Sequence, residues 1–238
     1  MTLRGAAFDL DDTLFLERMY VRSGFGAVAE QISPDAAIES EEIVRELLAI
    51  DAAGNHGRVF DAWLQSRDQL ASRLTVRLLV DTYRSHQPNI SLLPNVLNML
   101  QALRNAAYQL AVISDGPLQS QRAKVDALGL ESLMDRILLT DAWGPDFWKP
   151  HQRAFKLIEA EWNCSPSELA YVGDNPTKDF AAPNSRGWLT IRLRLEGQRL
   201  NGLAAASVDS SAQIELRSVR ELASFLLARA PGKARTDP

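Results

Sequence analysis

Residues 6–13 read Ala-Ala-Phe-Asp-Leu-Asp-Asp-Thr, an apolar run that ends abruptly in three carboxylates. Leu3 to Asp9 reads as a buried strand. Side chains alternate faces along a strand, so Asp9 and Asp11 are expected to point the same way. Two like charges crowded at one spot are costly unless a cation or a reaction uses them. The spacing therefore asks for a metal ion and a phosphate-like ligand at the carboxyl end of this strand.

The rest of the chain is consistent with a site of that kind on a full-sized globular core. Its 238 residues are 46% hydrophobic, enough for one large domain or for a core carrying an insertion. The formal net charge of −4 gives no overall pull toward nucleic acid or an anionic membrane, and neither is expected as a partner. The single cysteine, Cys164, cannot form an intrachain disulfide, which fits a reducing compartment. No basic stretch followed by an apolar run opens the chain, and no apolar segment has the length of a membrane span, so a cytoplasmic location is expected.

After the first strand, the next run of similar quality is Gln109 to Ser114, and the interval is almost wholly helical in pattern. Ser33-Pro34-Asp35 reads as a helix start leading into Ile38, Ile43, Leu47, Leu48 and Ile50 at helical spacing. Gly54 to Gly57 break that helix, and further periodic stretches cover Val59 to Leu64 and Leu74 to Tyr83. From Pro94 onward helices and strands alternate: a helix through Leu103, strand 109–114, a helix through Leu128, strand Arg136 to Thr140, a helix from His151, strand Leu169 to Gly173, a helix, and strand Leu189 to Leu193. Ser218 to Leu227 reads as a last helix and Pro231 to Pro238 as a polar tail. Such alternation means right-handed crossovers. The expected fold is α/β, a Rossmann-like parallel sheet with helices on both faces, carrying a small all-helical domain. Residues 1–15 and 91–238 would form the core and residues 16–90 the insertion.

Open parallel sheets bind ligands beyond the carboxyl ends of their strands, so the residues that end each apolar run carry the information. The first run ends in Asp9 and Asp11, the second in Ser114-Asp115-Gly116, and the fourth in Gly173 to Asp179, while Lys149-Pro150 is read as opening the helix after the third. Alone, Lys149 would be a surface lysine before a helix-starting proline, and Asp174 and Asp179 could simply cap a helix. Together they form a kit for moving a phosphoryl group. Asp9 can attack phosphorus and form an acyl-phosphate. Asp11 can protonate the departing oxygen and later draw a proton from water, a task for which acidic neighbours would raise its pKa. A hard divalent ion held by Asp9, Asp174 and a backbone carbonyl would offset the repulsion between carboxylate and phosphate, and Mg²⁺ suits such oxygen donors. Lys149 adds positive charge, Ser114 and the amides after it can bond the phosphoryl oxygens, and Asp179 can orient a water or hold Lys149.

With these residues in order, the chain resembles the haloacid dehalogenase superfamily of aspartate-dependent phosphohydrolases. That family's Asp-x-Asp-x-Thr is matched by Asp9 to Thr13, its serine or threonine by Ser114, its lysine by Lys149, and its Gly-Asp-x-x-x-x-Asp by Gly173 to Asp179. The resemblance implies Asp9 as nucleophile, Asp11 as acid/base that also binds Mg²⁺ through its carbonyl oxygen, and Asp174 as metal ligand. It also implies that residues 16–90 are a cap domain and that the substrate is a small phosphorylated metabolite. Three departures stand out. Asp12 occupies a position where many relatives carry glycine, Asp115 adds a carboxylate beside the phosphate, and Pro183 is expected to kink or shorten the helix after Asp179. Within the insertion, Arg18, Tyr20, Arg22, Arg58, Arg84 and His86 are the candidates for touching the substrate beyond its phosphate. A phosphomutase, a dehalogenase and a catalytically silent binding protein on the same fold remain open alternatives.

Overall fold

The computed structural model describes residues 2–67, 70 and 73–231, so Met1 and most of the expected polar tail, residues 232–238, lie outside the described residues. Along the chain, β1 (Gly5–Phe8) leads into four helices: α1 (Glu17–Ala36), α2 (Ser40–Ala52), α3 (Val59–Gln65) and α4 (Val76–Ser85). The remainder alternates: α5 (Val96–Asn105), β2 (Gln109–Ser114), α6 (Leu118–Ala127), β3 (Arg136–Leu139), α7 (Arg153–Trp162), β4 (Leu169–Gly173), α8 (Ala181–Arg186), β5 (Leu189–Leu193), β6 (Ile214–Leu216) and α9 (Val219–Leu227). The chain divides into two compact units, residues 1–17 with 91–238, and residues 18–90.

In the first unit all strand pairs are parallel, and the sheet order is β3-β2-β1-β4-β5-β6. A central strand covered on both faces has no solvent side, which is why Gly5 to Phe8 is buried throughout and shows no polar alternation. Ala7 lies opposite Ala111 of β2 and Tyr171 of β4. Helices cover both faces of this Rossmann-like sheet. On one, Phe155 and Ile158 of α7 and Ala182 of α8 pack with Ala7, Ile113, Tyr171 and Trp188. From β1 the chain steps outward to β2 and β3, then crosses back to β4, β5 and β6. The order therefore reverses between β1 and β4, and a crevice opens at the carboxyl ends of those two strands.

The second unit, among its described residues, is helical. Phe25, Ile32, Ile43, Leu47, Phe60, Trp63 and Leu79 form its core. Trp63 donates its indole N–H to Glu46 Oε2 at 2.9 Å, and Arg67 lies over the same ring, 4.7 Å from its centre.

Three local expectations are corrected. Ser33-Pro34-Asp35 does not start a helix; it lies in the last turn of α1. Tyr20, Val21, Phe25, Val28 and Ile32 form one buried stripe along α1. At about 1.5–3 kcal/mol for each large apolar side chain buried, that stripe outweighs the roughly 3 kcal/mol cost of a proline inside a helix. The break comes later, where Ala37 takes φ +54° and Ser33 Oγ donates to the Ile38 carbonyl at 2.7 Å. Pro183 removes no hydrogen bond from α8, because it lies in the first turn, where backbone N–H groups have no intrahelical acceptor. Its carbonyl accepts from Trp188 N at 3.0 Å, and Gly187 at φ +88° ends the helix. Finally, α7 begins at Arg153, leaving Lys149-Pro150 in the segment before it. The short edge strand β6 carried no readable pattern, since only three residues form it and none is fully buried.

Glu159 of α7 holds Arg186 at the end of α8 and Trp188 just before β5. Its Oε1 accepts from Trp188 Nε1 and Arg186 Nε, each at 2.7 Å, and its Oε2 accepts from Arg186 Nη2. Burial alone pushes the Glu159 pKa up, but the hydrogen bonds from Arg186 and Trp188 prevail and hold it below the ordinary glutamate value of 4.5. A lowered folded-state pKa contributes stability that is present above the unfolded value and lost as pH falls through the folded one. Glu159→Gln is expected to cost about 1–3 kcal/mol at pH 7 in urea denaturation, with the difference from the parent chain shrinking progressively below pH 4.5.

Candidate active site

Four segments end at the crevice. Asp9 follows β1, and its N–H still bonds the Val172 carbonyl at 2.8 Å, extending the pairing with β4 by one residue. Asp174 follows β4 directly. The turn after it closes when Asn175 N donates to Asp179 Oδ2 at 2.9 Å and Asp179 N donates to the Asn175 carbonyl at 3.0 Å. Gly173 is required there, because a Cβ at that position would run into the Asp179 side chain. Ser114 is the last residue of β2, and Lys149 arrives through two short 3₁₀ turns after β3.

One buried ammonium gathers these ends. Lys149 Nζ bonds Asp9 Oδ1, Asp179 Oδ1 at 2.8 Å and Tyr171 Oη at 2.7 Å, with its side chain fully buried. Carboxylate oxygens of Asp9, Asp174 and Asp179 all lie within 4.8 Å of one another, and all three residues are buried. Burial, together with Asp179, raises the Asp9 pKa to about 7 despite Lys149. Burial and the neighbouring Asp179, Asp9 and Asp12 raise that of Asp174 to about 9. Burial alone would also raise Asp179, but Lys149 and Lys178 hold it below the usual range. Oxygen-only donors crowded this closely fit a hard divalent cation.

Asp11 differs from expectation. Pairing stops after the Asp9 N–H bond to Val172, so the strand's two-residue period does not govern Asp11, whose carboxylate is held by α6 and does not belong to the group formed by Asp9, Asp174 and Asp179. Lys124 Nζ bonds its Oδ1 at 2.6 Å, and Gln121 Nε2 bonds its Oδ2 at 2.8 Å. Burial pushes the Asp11 pKa up, but these contacts, Lys124 foremost, bring it below the usual value, opposite to the rise expected from acidic neighbours.

The departures resolve into structural roles. Asp12, at φ +54°, accepts from Glu17 N at the start of α1 and from Arg199 N, both at 2.8 Å, while its carbonyl takes the Gln198 amide at 2.6 Å. Asp115 Oδ1 accepts from Thr140 Oγ1 at 2.7 Å and from Lys149 N at 3.0 Å, which holds the backbone beneath the central ammonium. Lys178 Nζ stands 3.4 Å from Asp115 Oδ2. Gly116 takes φ +118°, and Thr13 Oγ1 is buried with no partner among the described residues.

In the helical unit, Arg18, Arg22, Arg58 and Arg84 are exposed. Tyr20 is 4% exposed and spent on packing, its ring 5.4 Å from that of Tyr83 and 4.9 Å from that of His86. Arg22 lines a cavity of about 540 Å³ together with Glu30, Glu41 and Arg45. The sequence reading missed Tyr171, Lys178, Gln121 and Lys124. For the last two a signal existed: two long polar side chains three residues apart share one face of the helix that follows Ser114-Asp115-Gly116.

A family model described as haloacid dehalogenase-like hydrolase matches residues 3–185. The chain belongs to the haloacid dehalogenase-like hydrolase family. Among its relatives is a glyceraldehyde 3-phosphate phosphatase of Methanocaldococcus jannaschii, 28% identical over 197 residues, 80% of this chain and 85% of that one. The protein of the same name in Methanothermobacter thermautotrophicus is 27% identical over 232 residues, 90% of this chain and 98% of its own. A crystal structure of a HAD family hydrolase from Deinococcus radiodurans, with bound phosphate and sodium, shares the fold at a TM-score of 0.65 and 20% identity, with 96% of each chain covered. Among the described residues no helix is long and apolar enough to cross a membrane.

Removing one partner of a buried ion pair leaves the others uncompensated, at about 3–5 kcal/mol. Lys149→Met, which strips Asp9 and Asp179 of their shared cation, is expected to lower stability by about that amount in urea denaturation with chelator present.

Proposed function

We propose that this hydrolase is a Mg²⁺-dependent phosphatase that hydrolyses a small phosphorylated metabolite through an aspartyl-phosphate on Asp9. The observation that carries the reading is the placement of Asp9 at the crevice, its carboxylate beside those of Asp174 and Asp179 and anchored by Lys149. The names of the phosphatase relatives support the same class and make glyceraldehyde 3-phosphate the first substrate to test.

Asp9 and Asp174, with Asp179 beside them, would hold the cation. When bound, Mg²⁺ supplies the positive charge that lets a carboxylate approach a phosphate dianion. Lys149 fixes one Asp9 oxygen and leaves the other to attack phosphorus in line with the departing oxygen. Asp11, having first taken up a proton from solvent, gives it to that oxygen, then takes one back from the water that attacks the aspartyl-phosphate. The Lys124 contact favours the ionised form of Asp11, the form the second displacement needs. Ser114 and the amides of Asp115 and Gly116 donate to phosphoryl oxygens, whose growing charge the buried Lys149 offsets. The helical unit is read as the cap domain, with exposed Arg18, Arg22, Arg58 and Arg84 as its specificity residues.

Phosphate release from 4-nitrophenyl phosphate and from glyceraldehyde 3-phosphate is expected to require Mg²⁺ and to stop on chelation. Asp9→Asn should remove it altogether, whereas Asp174→Asn should be partly rescued by excess metal. Turnover by Asp9→Asn would refute the nucleophile assignment. An isomeric phosphate ester instead of free phosphate would identify a mutase.

A further inference from the structure

Both oxygens of Asp11 are held from one face of α6. Gln121 and Lys124 stand three residues apart on that helix, so their side chains lie side by side, and each is about 95% buried or more. Lys124 Nζ takes Oδ1 and Gln121 Nε2 takes Oδ2, at 2.6 and 2.8 Å. The same Gln121 amide nitrogen also lies within hydrogen-bond distance of Ser114 Oγ and, at 2.9 Å, of the Asp115 carbonyl, so its two N–H hydrogens are shared among three acceptors. Burying an ammonium and an amide costs free energy, and here each is satisfied by groups of the reaction centre itself. The Lys124 ammonium also lies 5.9 Å from the centre of the Phe15 ring, which walls one side of it.

We propose that Gln121 and Lys124 are positioning residues for proton transfer by Asp11, fixing its carboxylate with a two-point clamp that also sets the direction of the Ser114 hydroxyl. The proposal rests on the phosphatase reading above. Two bonds to two different oxygens remove rotation about the Asp11 Cβ–Cγ bond, so the carboxylate plane is set before substrate arrives. Because Ser114 Oγ already accepts from Gln121, its own hydrogen is left for an outside acceptor, such as a phosphoryl oxygen. One side chain thereby couples the proton donor to a phosphate-binding group. In the first displacement Asp9 forms the new P–O bond while the ester P–O bond breaks, and the proton moves from Asp11 to the leaving oxygen. A misplaced Asp11 slows that step most when the leaving group needs the proton.

That dependence separates positioning from a general structural role. kcat/KM, which reports the step in which the aryl group departs, is measured with Mg²⁺ for 2,4-dinitrophenyl phosphate, whose leaving group departs unprotonated, and for phenyl phosphate, whose leaving group does not. For Lys124→Met and Gln121→Leu the ratio of the first to the second is expected to rise about tenfold or more over the parent chain, with Asp11→Asn rising further, within the roughly 10²–10⁴-fold worth of a proton donor. Lys124→Gln, which keeps an N–H donor without the charge, serves where the methionine variant does not fold and is expected to give a smaller rise in the same direction. Equal losses on both esters, in the presence of an Asp11→Asn rise, would overturn the clamp and leave the phosphatase reading standing. No shift in Asp11→Asn, or no phosphate released by the parent chain, would overturn both.

Discussion

The Lys149 ammonium sits among the buried carboxylates at the carboxyl ends of β1 and β4. Lys149, with no exposed side-chain surface, bonds Asp9 and Asp179 directly, and its own backbone N–H is held by Asp115. Carboxylates cannot be buried together without such compensation, since each loses its hydration and repels the next. The convergence of four chain segments at the end of the sheet depends on that charge being present, and Tyr171 beneath it fills the remaining donor direction.

The sheet brings those segments within reach. With β1 between β2 and β4, the chain leaves the central strand in two directions, and the residues just past β1 and β4 face each other across the reversal. The two acidic residues of the opening motif then part company. Asp9 stays with β4 through its backbone bond to Val172 and enters the carboxylate group, while Asp11 is taken over by α6. Asp12, the third, is consumed in capping α1 and tying the loop at Gln198 and Arg199. Three adjacent acids thus acquire three different environments, and burial with unequal compensation gives them different proton affinities.

Much of this was legible beforehand. Strands 109–114 and 169–173 coincide with apolar runs bounded by turn residues, because a buried parallel strand needs apolar side chains on both faces, and strand 189–193 was legible although Thr190 and Arg192 interrupt it. The last helix was equally readable over Ser218 to Leu227; the structure starts it at Val219 and makes Ser218 its cap, the side chain accepting from Glu221 N at 3.1 Å. The errors share a cause. Pro34 looked like a helix start because its local preference is strong, yet the buried stripe of α1 carries more free energy than one lost hydrogen bond. Asp11 looked like a partner of Asp9 because strand periodicity was extended past the last paired residue. β6 gave no signal because its stability comes from β5 beside it and not from its own three residues.

The sequence by itself determined which groups could meet. Acidic residues and a hydroxyl lie at or just after the ends of apolar runs, and parallel strands deliver whatever follows them to one edge, which Lys149 reaches through the two 3₁₀ turns after β3. Only the tertiary structure decided what each group does on arrival, since that depends on neighbours remote in the chain: Lys149 beside Asp9, 140 residues away, and Lys124 beside Asp11, 113 residues away. Side-chain type sets which bonds are possible, whereas burial and the partner across the crevice set which bonds form and which protonation state is favoured.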